Sequence, residues 1–206
     1  MGVEASGRVD VDHVGLVGHS FGGGMVPRMT QLVAERGWGT RSLWAAMLAP
    51  FYSYQVGGGP IALPVHARVL VSGYEHDVFV DHRIAIETFR ALGVPDDHKR
   101  YTVVLGERRG RWNLGSDHLT PLSLPVPLPL FAEDALDRYG IFRPVDGLAR
   151  CARWGEWCDL DLTDMGTWSD GAPFRAAIST DDPVDLGPPA IECDLLGGLL
   201  NPRPCP

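Results

Sequence analysis

The chain has 206 residues, with 18 basic and 26 acidic side chains, a formal net charge of −8 and 45% apolar residues. That length suits one domain able to bury a substantial core. The acidic balance, without any basic block, argues against nucleic acid or an anionic membrane as the main partner, and no apolar run approaches the ~20 residues of a membrane-spanning helix.

Read in chain order, His13 to His19 is a short apolar run rich in β-branched residues, which predicts a buried strand. Beyond Ser20, Met25, Met29, Leu32 and Val33 recur at helical spacing up to a stop at Gly37, with Pro27 early enough to be tolerated. Ser42 to Leu48 reads as the next strand, and residues 51–64 as a Gly- and Pro-rich loop. Ala67 to Ser72 is a further strand. From Asp81, the positions Ile84, Ala85, Thr88, Phe89 and Leu92 mark one face of a helix that stops at Gly93-Val94-Pro95. Arg100 to Leu105 is the following strand. Strand and helix alternate, which predicts an α/β fold with a mostly parallel sheet and flanking helices.

After residue 120 the pattern changes. Pro121 to Leu130 alternates Pro with Leu or Val and suits neither a helix nor a central strand. Phe131 to Tyr139 predicts a short helix closed by Gly140. Pro144 to Ala152 predicts another, with Val145, Leu148, Ala149 and Ala152 on one face. From Asp159 onward the composition predicts irregular structure packed on the same domain. The organisation is thus residues 1–120 as the catalytic part and 121–206 as an irregular C-terminal extension with short helices. The four cysteines, Cys151, Cys158, Cys193 and Cys205, all lie in that extension. Their spacing does not suggest zinc, and no metal or cofactor is expected. Cys151 and Cys158 close a short loop by a disulfide or are ordinary buried thiols. Trp154, Trp157 and Trp168 are read as structural packing.

Gly18-His19-Ser20-Phe21-Gly22 lies between the first strand and the first helix and fits the G-x-S-x-G nucleophile elbow. A serine hydroxyl needs a base to remove its proton during attack, and the elbow presents it on a sharp turn where that is possible. Ser20 is the candidate nucleophile, and the backbone N–H of Phe21 is the expected oxyanion donor at the positive end of a helix. A dinucleotide-binding loop fits poorly, because the glycine spacing is not G-x-G-x-x-G. The orienting acid should follow a strand, and Asp77 after Ala67 to Ser72 is the choice. Glu75 is the nearer alternative, and Asp81 is better explained as a helix N-cap. The base should follow the last strand, which selects His118 in Gly115-Ser116-Asp117-His118-Leu119 among seven histidines. Asp117 is read as loop hydrogen bonding. His19 and His76 are candidate substrate contacts beside the nucleophile and at the site rim.

With GHSFGG at 18–23, VLVSGYEHDVFV at 69–80 and GSDHLTP at 115–121, the chain resembles the α/β-hydrolase superfamily, specifically its esterase- and dienelactone-hydrolase-like bacterial members. The approach RVDVDHVGLVGHS at 8–20 is similar too, and the resemblance covers roughly residues 8–120. It implies the C-terminal portion of an α/β-hydrolase that cleaves a small-molecule carboxylic ester through an acyl-serine intermediate. Complete members carry several strands and helices before the elbow, including the second oxyanion donor, so an N-terminally truncated chain with an exposed sheet edge and self-association is expected. The alternatives are a non-catalytic remnant acting in binding or assembly, or an acyltransferase with the same triad. MGTWSDG at 165–171 resembles the C-terminal extension of some secreted bacterial hydrolases, which leans the localisation toward secreted or periplasmic.

Overall fold

A computed structural model describes residues 9–53, 56, 59–122 and 133–187. Most of the Pro-alternating stretch, the start of the helix expected from Phe131, and Cys193 and Cys205 lie outside the described residues. Strand β1 (His13–His19) leads into helix α1 (Phe21–Glu35), and β2 (Ser42–Leu48), β3 (Arg68–Tyr74), α2 (His82–Ala91) and β4 (Lys99–Val104) follow. A small hairpin, β5 (Glu107–Arg109) and β6 (Trp112–Leu114), precedes α3 (Ala135–Asp137), α4 (Arg143–Trp154) and the short strand β7 (Ile178–Thr180). The main sheet has five strands in the order β1-β2-β3-β4-β7. The first four pair in parallel and β7 adds antiparallel to β4. This is a mixed α/β sheet, mostly parallel, with flanking helices.

Strands β2, β3 and β4 read as near-continuous apolar runs because both faces are covered, whereas β1, expected from its sequence to be buried, holds no fully buried residue and exposes Val17. Leu43, Ala45, Met47, Val69, Val71, Tyr101 and Val103 point to the side of α1 and α2, where Val26, Val33, Ile86 and Phe89 complete the larger core. Leu48, Tyr74 and Val104 point to the opposite side and meet Leu136, Ile141, Met165 and Ala177. The extension therefore covers the second face of the sheet and lengthens it with β7. Among the described residues β1 pairs only with β2, which leaves one edge of the sheet open.

Three local readings need correction. The inward face of α1 is Gly23, Gly24, Val26, Pro27, Thr30 and Val33, while Met25 and Met29 are exposed. A Cβ on Gly24 would meet the carbonyls of Tyr52 and Phe51, so glycine lets the helix approach the chain after β2 more closely than a methionine face could. Gly140 does not close a helix. The chain passes from α3 through a π turn at Arg138–Phe142 into α4, with Gly140 buried against Val104. In α4 the fully buried positions are Pro144, Gly147 and Cys151 rather than the expected apolar face. Gly155, at φ 70°, ends α4 in the left-handed region. Just beyond it, Cys151 and Cys158 form a disulfide with Cα atoms 4.8 Å apart.

Candidate active site

In a parallel sheet the carboxyl ends of all strands lie on one edge, and the loops there converge. Ser20 follows β1, Asp77 lies three residues beyond β3, and His118 follows β4 and the hairpin. Ser20 sits at φ 56° and ψ −124°, a backbone region that costs a non-glycine residue on the order of 1–3 kcal/mol. Its surroundings hold it there. The Ser20 N–H donates to the Leu48 carbonyl at 3.0 Å, and its own carbonyl accepts from Gly24 at 3.0 Å and Phe51 at 2.9 Å. A Cβ on Gly18 would collide with the backbone of Gly22, so the turn requires glycine at position 18; a Cβ on Gly22 would meet nothing within 4 Å.

The loops that carry Asp77 and His118 are bound to each other and to β4. The Glu75 N–H and the Ser116 hydroxyl both donate to the Val104 carbonyl, at 3.0 and 2.7 Å, and the His76 N–H donates to the Ser116 carbonyl at 2.8 Å. Asp77 is almost fully buried. Its Oδ1 accepts the N–H groups of Phe79 and Val80 at 2.8 and 3.0 Å, which turns Oδ2 toward His118. That oxygen is 2.8 Å from His118 Nδ1, and His118 Nε2 is 2.9 Å from Ser20 Oγ. With its proton on Nδ1, the imidazole donates to the buried carboxylate and offers its Nε2 lone pair to the serine hydroxyl. The structure thus brings Ser20, His118 and Asp77, drawn from positions 98 and 41 residues apart, into one hydrogen-bonded line.

The other carboxylates are engaged elsewhere. Glu75 Oε2 accepts the Gly106 N–H at 2.9 Å and pairs with the Arg175 guanidinium at 2.8 Å. Asp81 caps α2 by accepting the Arg83 N–H at 2.9 Å, and Asp117 accepts the Leu119 N–H at 2.9 Å within its own loop. His76 points its ring toward Gly106, with Nε2 3.7 Å from Glu75, and its side chain is largely exposed. His19 packs against His118, their ring centroids 4.6 Å apart. Burial lowers the His19 pKa, and His118 lowers it further; a hydrogen bond with the His118 backbone and the charge of Asp77 act in the opposite sense. Beside these three residues, Phe21 packs its ring against Phe51 at 4.5 Å, tilted by 58°, and Phe79 lies 5.5 Å from the His118 ring. Phe79 carried no sequence signal of its own; its place two residues after the acid was the available hint.

Helix α1 opens directly beyond Ser20. Among the described residues nothing accepts the N–H groups of Phe21 and Gly22, and no side chain caps this end. Two unpaired donors therefore sit at the positive end of a 15-residue helix. Nor do the described residues form any group of three or more His, Cys, Asp or Glu able to hold a metal ion, and none of their helices is long and apolar enough to cross a membrane.

No protein-family model matches the chain, and a search of curated proteins gave no match.

Proposed function

We propose that this protein is a serine hydrolase of the α/β-hydrolase type, cleaving carboxylic esters through an acyl-serine intermediate. The observation that carries the reading is the line from Ser20 Oγ through His118 to buried Asp77, at 2.9 and 2.8 Å. Ser20 attacks the ester carbonyl while His118 Nε2 takes the hydroxyl proton, and Asp77 stabilises the imidazolium that forms. The negative charge on the carbonyl oxygen is received by the Phe21 N–H, which is unpaired and already fixed at a helix terminus. His118 then passes its proton to the departing alcohol, and water, activated by the same base, releases the acid.

The test is covalent. A fluorophosphonate probe should label the purified chain at Ser20, with p-nitrophenyl acetate turned over and both signals lost in Ser20→Ala. A folded chain that neither labels nor cleaves the ester would sink the proposal.

The open β1 edge supports the further proposal that copies of the chain associate there. The strand is uncharged, Val17 on it is half exposed, and Val17, Trp44 and Phe142 line an apolar groove of about 520 Å³ beside it. Unguarded apolar edges favour pairing with another chain.

A further inference from the structure

We infer that Phe79, with its neighbour Val78, forms the subsite for the alcohol portion of the ester, and that the esters this site selects carry an aromatic or similarly flat apolar alcohol. The inference rests on the serine-hydrolase reading given above and assigns a substrate class within it.

The chemistry fixes where the alcohol must lie. When the tetrahedral intermediate collapses, the bond from the carbonyl carbon to the alcohol oxygen breaks. The proton that His118 Nε2 took from Ser20 Oγ passes to that oxygen. The alcohol oxygen therefore sits within hydrogen-bond reach of Nε2, and the rest of the alcohol lies against whatever borders the imidazole. Among the described residues, two rings border it. His19, 4.6 Å away, is half-buried, and its Nε2 is closed off from solvent. Phe79, 5.5 Å away, is 49% exposed, and Val78 before it is 39% exposed. The accessible surface beside the base is thus an aromatic ring with an aliphatic shoulder.

That surface is held in place. The Phe79 N–H donates to Asp77 Oδ1 at 2.8 Å, and Val80, buried with Phe51 and Ile84, anchors the loop on its other side. Pre-formed, exposed apolar surface next to a reacting centre marks where a ligand's apolar group is received. A flat ring over Phe79 would stack offset or edge-on, an interaction worth something beyond the area it buries.

The experiment compares 1-naphthyl acetate with methyl acetate, which share an acyl group, in wild type, Phe79→Ala and Phe79→Leu. The ratio of kcat/KM for the naphthyl to the methyl ester should fall about tenfold in Phe79→Ala, through KM, and by a smaller factor in Phe79→Leu. Val65→Ala, an exposed apolar truncation just before the amino end of β3 and so at the opposite edge of the sheet from Ser20, Asp77 and His118, serves as the control and should leave the ratio as in wild type. A ratio unmoved in Phe79→Ala, whether both esters fall together or neither does, overturns the subsite. If wild type cleaves neither ester and resists the fluorophosphonate probe, the hydrolase reading fails and the subsite with it. Labelling and turnover with an indifferent ratio would discard the subsite alone.

Discussion

Asp77→Asn separates the geometry of the site from its electrostatics. The substitution keeps shape and volume, and the local hydrogen bonds dictate how the amide must lie. Oδ1 already accepts two backbone N–H groups, from Phe79 and Val80 at 2.8 and 3.0 Å. An amide nitrogen there would face two donors, so the asparagine oxygen keeps that place and its NH₂ turns to His118 Nδ1. Nδ1 must then accept, which moves the imidazole proton to Nε2, facing Ser20 Oγ. The base loses its free lone pair where it is needed, and no carboxylate remains to stabilise the imidazolium. The equivalent exchange in a serine protease triad lowers kcat on the order of 10⁴-fold, or about 5.4 kcal/mol of barrier. Turnover of p-nitrophenyl acetate and the labelling rate should both fall on that scale, with the melting temperature held near wild type by the preserved loop bonds. Activity above about a tenth of wild type would refute the assigned tautomer and with it the role of Asp77.

Gly22→Ala and Gly24→Ala should move stability in opposite directions. The first places a Cβ in open space within a helix and gains up to about 1 kcal/mol, whereas the second meets the Phe51 carbonyl at 2.8 Å and costs about 1–3 kcal/mol. In a chain of this size that is roughly 2–12 °C lost in Tm for Gly24→Ala, read by calorimetry. His19 should give a pH-dependent stability. Its folded pKa lies below the ordinary 6.5, so below about pH 6.5 the unfolded state binds a proton the folded state resists, and stability falls as pH drops through that window. His19→Asn should flatten the slope of Tm against pH there; an unchanged slope assigns it to another group. Reducing the Cys151–Cys158 bridge, whose residues are 7 apart, should cost about 2.5 kcal/mol and lower Tm by about 5–10 °C. Val17→Lys should shift any dimer or larger species in sedimentation velocity toward monomer, and a wild type that is monomeric at all concentrations would remove the proposed β1 contact.

What could be read from the sequence was what a local pattern encodes. Four parallel strands and two helices announced themselves because each strand is an apolar run, in β2, β3 and β4 through burial on both faces, and the end of each is marked by Gly, Pro or a polar cluster. Ser20, Asp77 and His118 could be picked out as candidates because each follows a strand, and a parallel sheet delivers such loops to one edge whatever their separation in sequence. The misses are contacts made across long separations or by residues without apolar pattern. Glu107–Arg109 is charged on both faces and Trp112–Leu114 is too short to show a period, so only the turn glycine Gly110, at φ 58°, betrays a hairpin. Ile178–Thr180 is too short to show a period and gains its identity from pairing with Tyr101 to Val103. Glu75 looked like a plausible acid because its partner, Arg175, lies 100 residues away, and nothing near Glu75 in sequence reveals that its carboxylate is occupied. That pairing bears on function. It ties the extension to the loop carrying Asp77, so the tail that looked irregular in sequence helps hold Asp77 against His118. Arg175→Ala should therefore loosen the acid loop while leaving the triad residues themselves intact, lowering kcat more than it lowers the melting temperature.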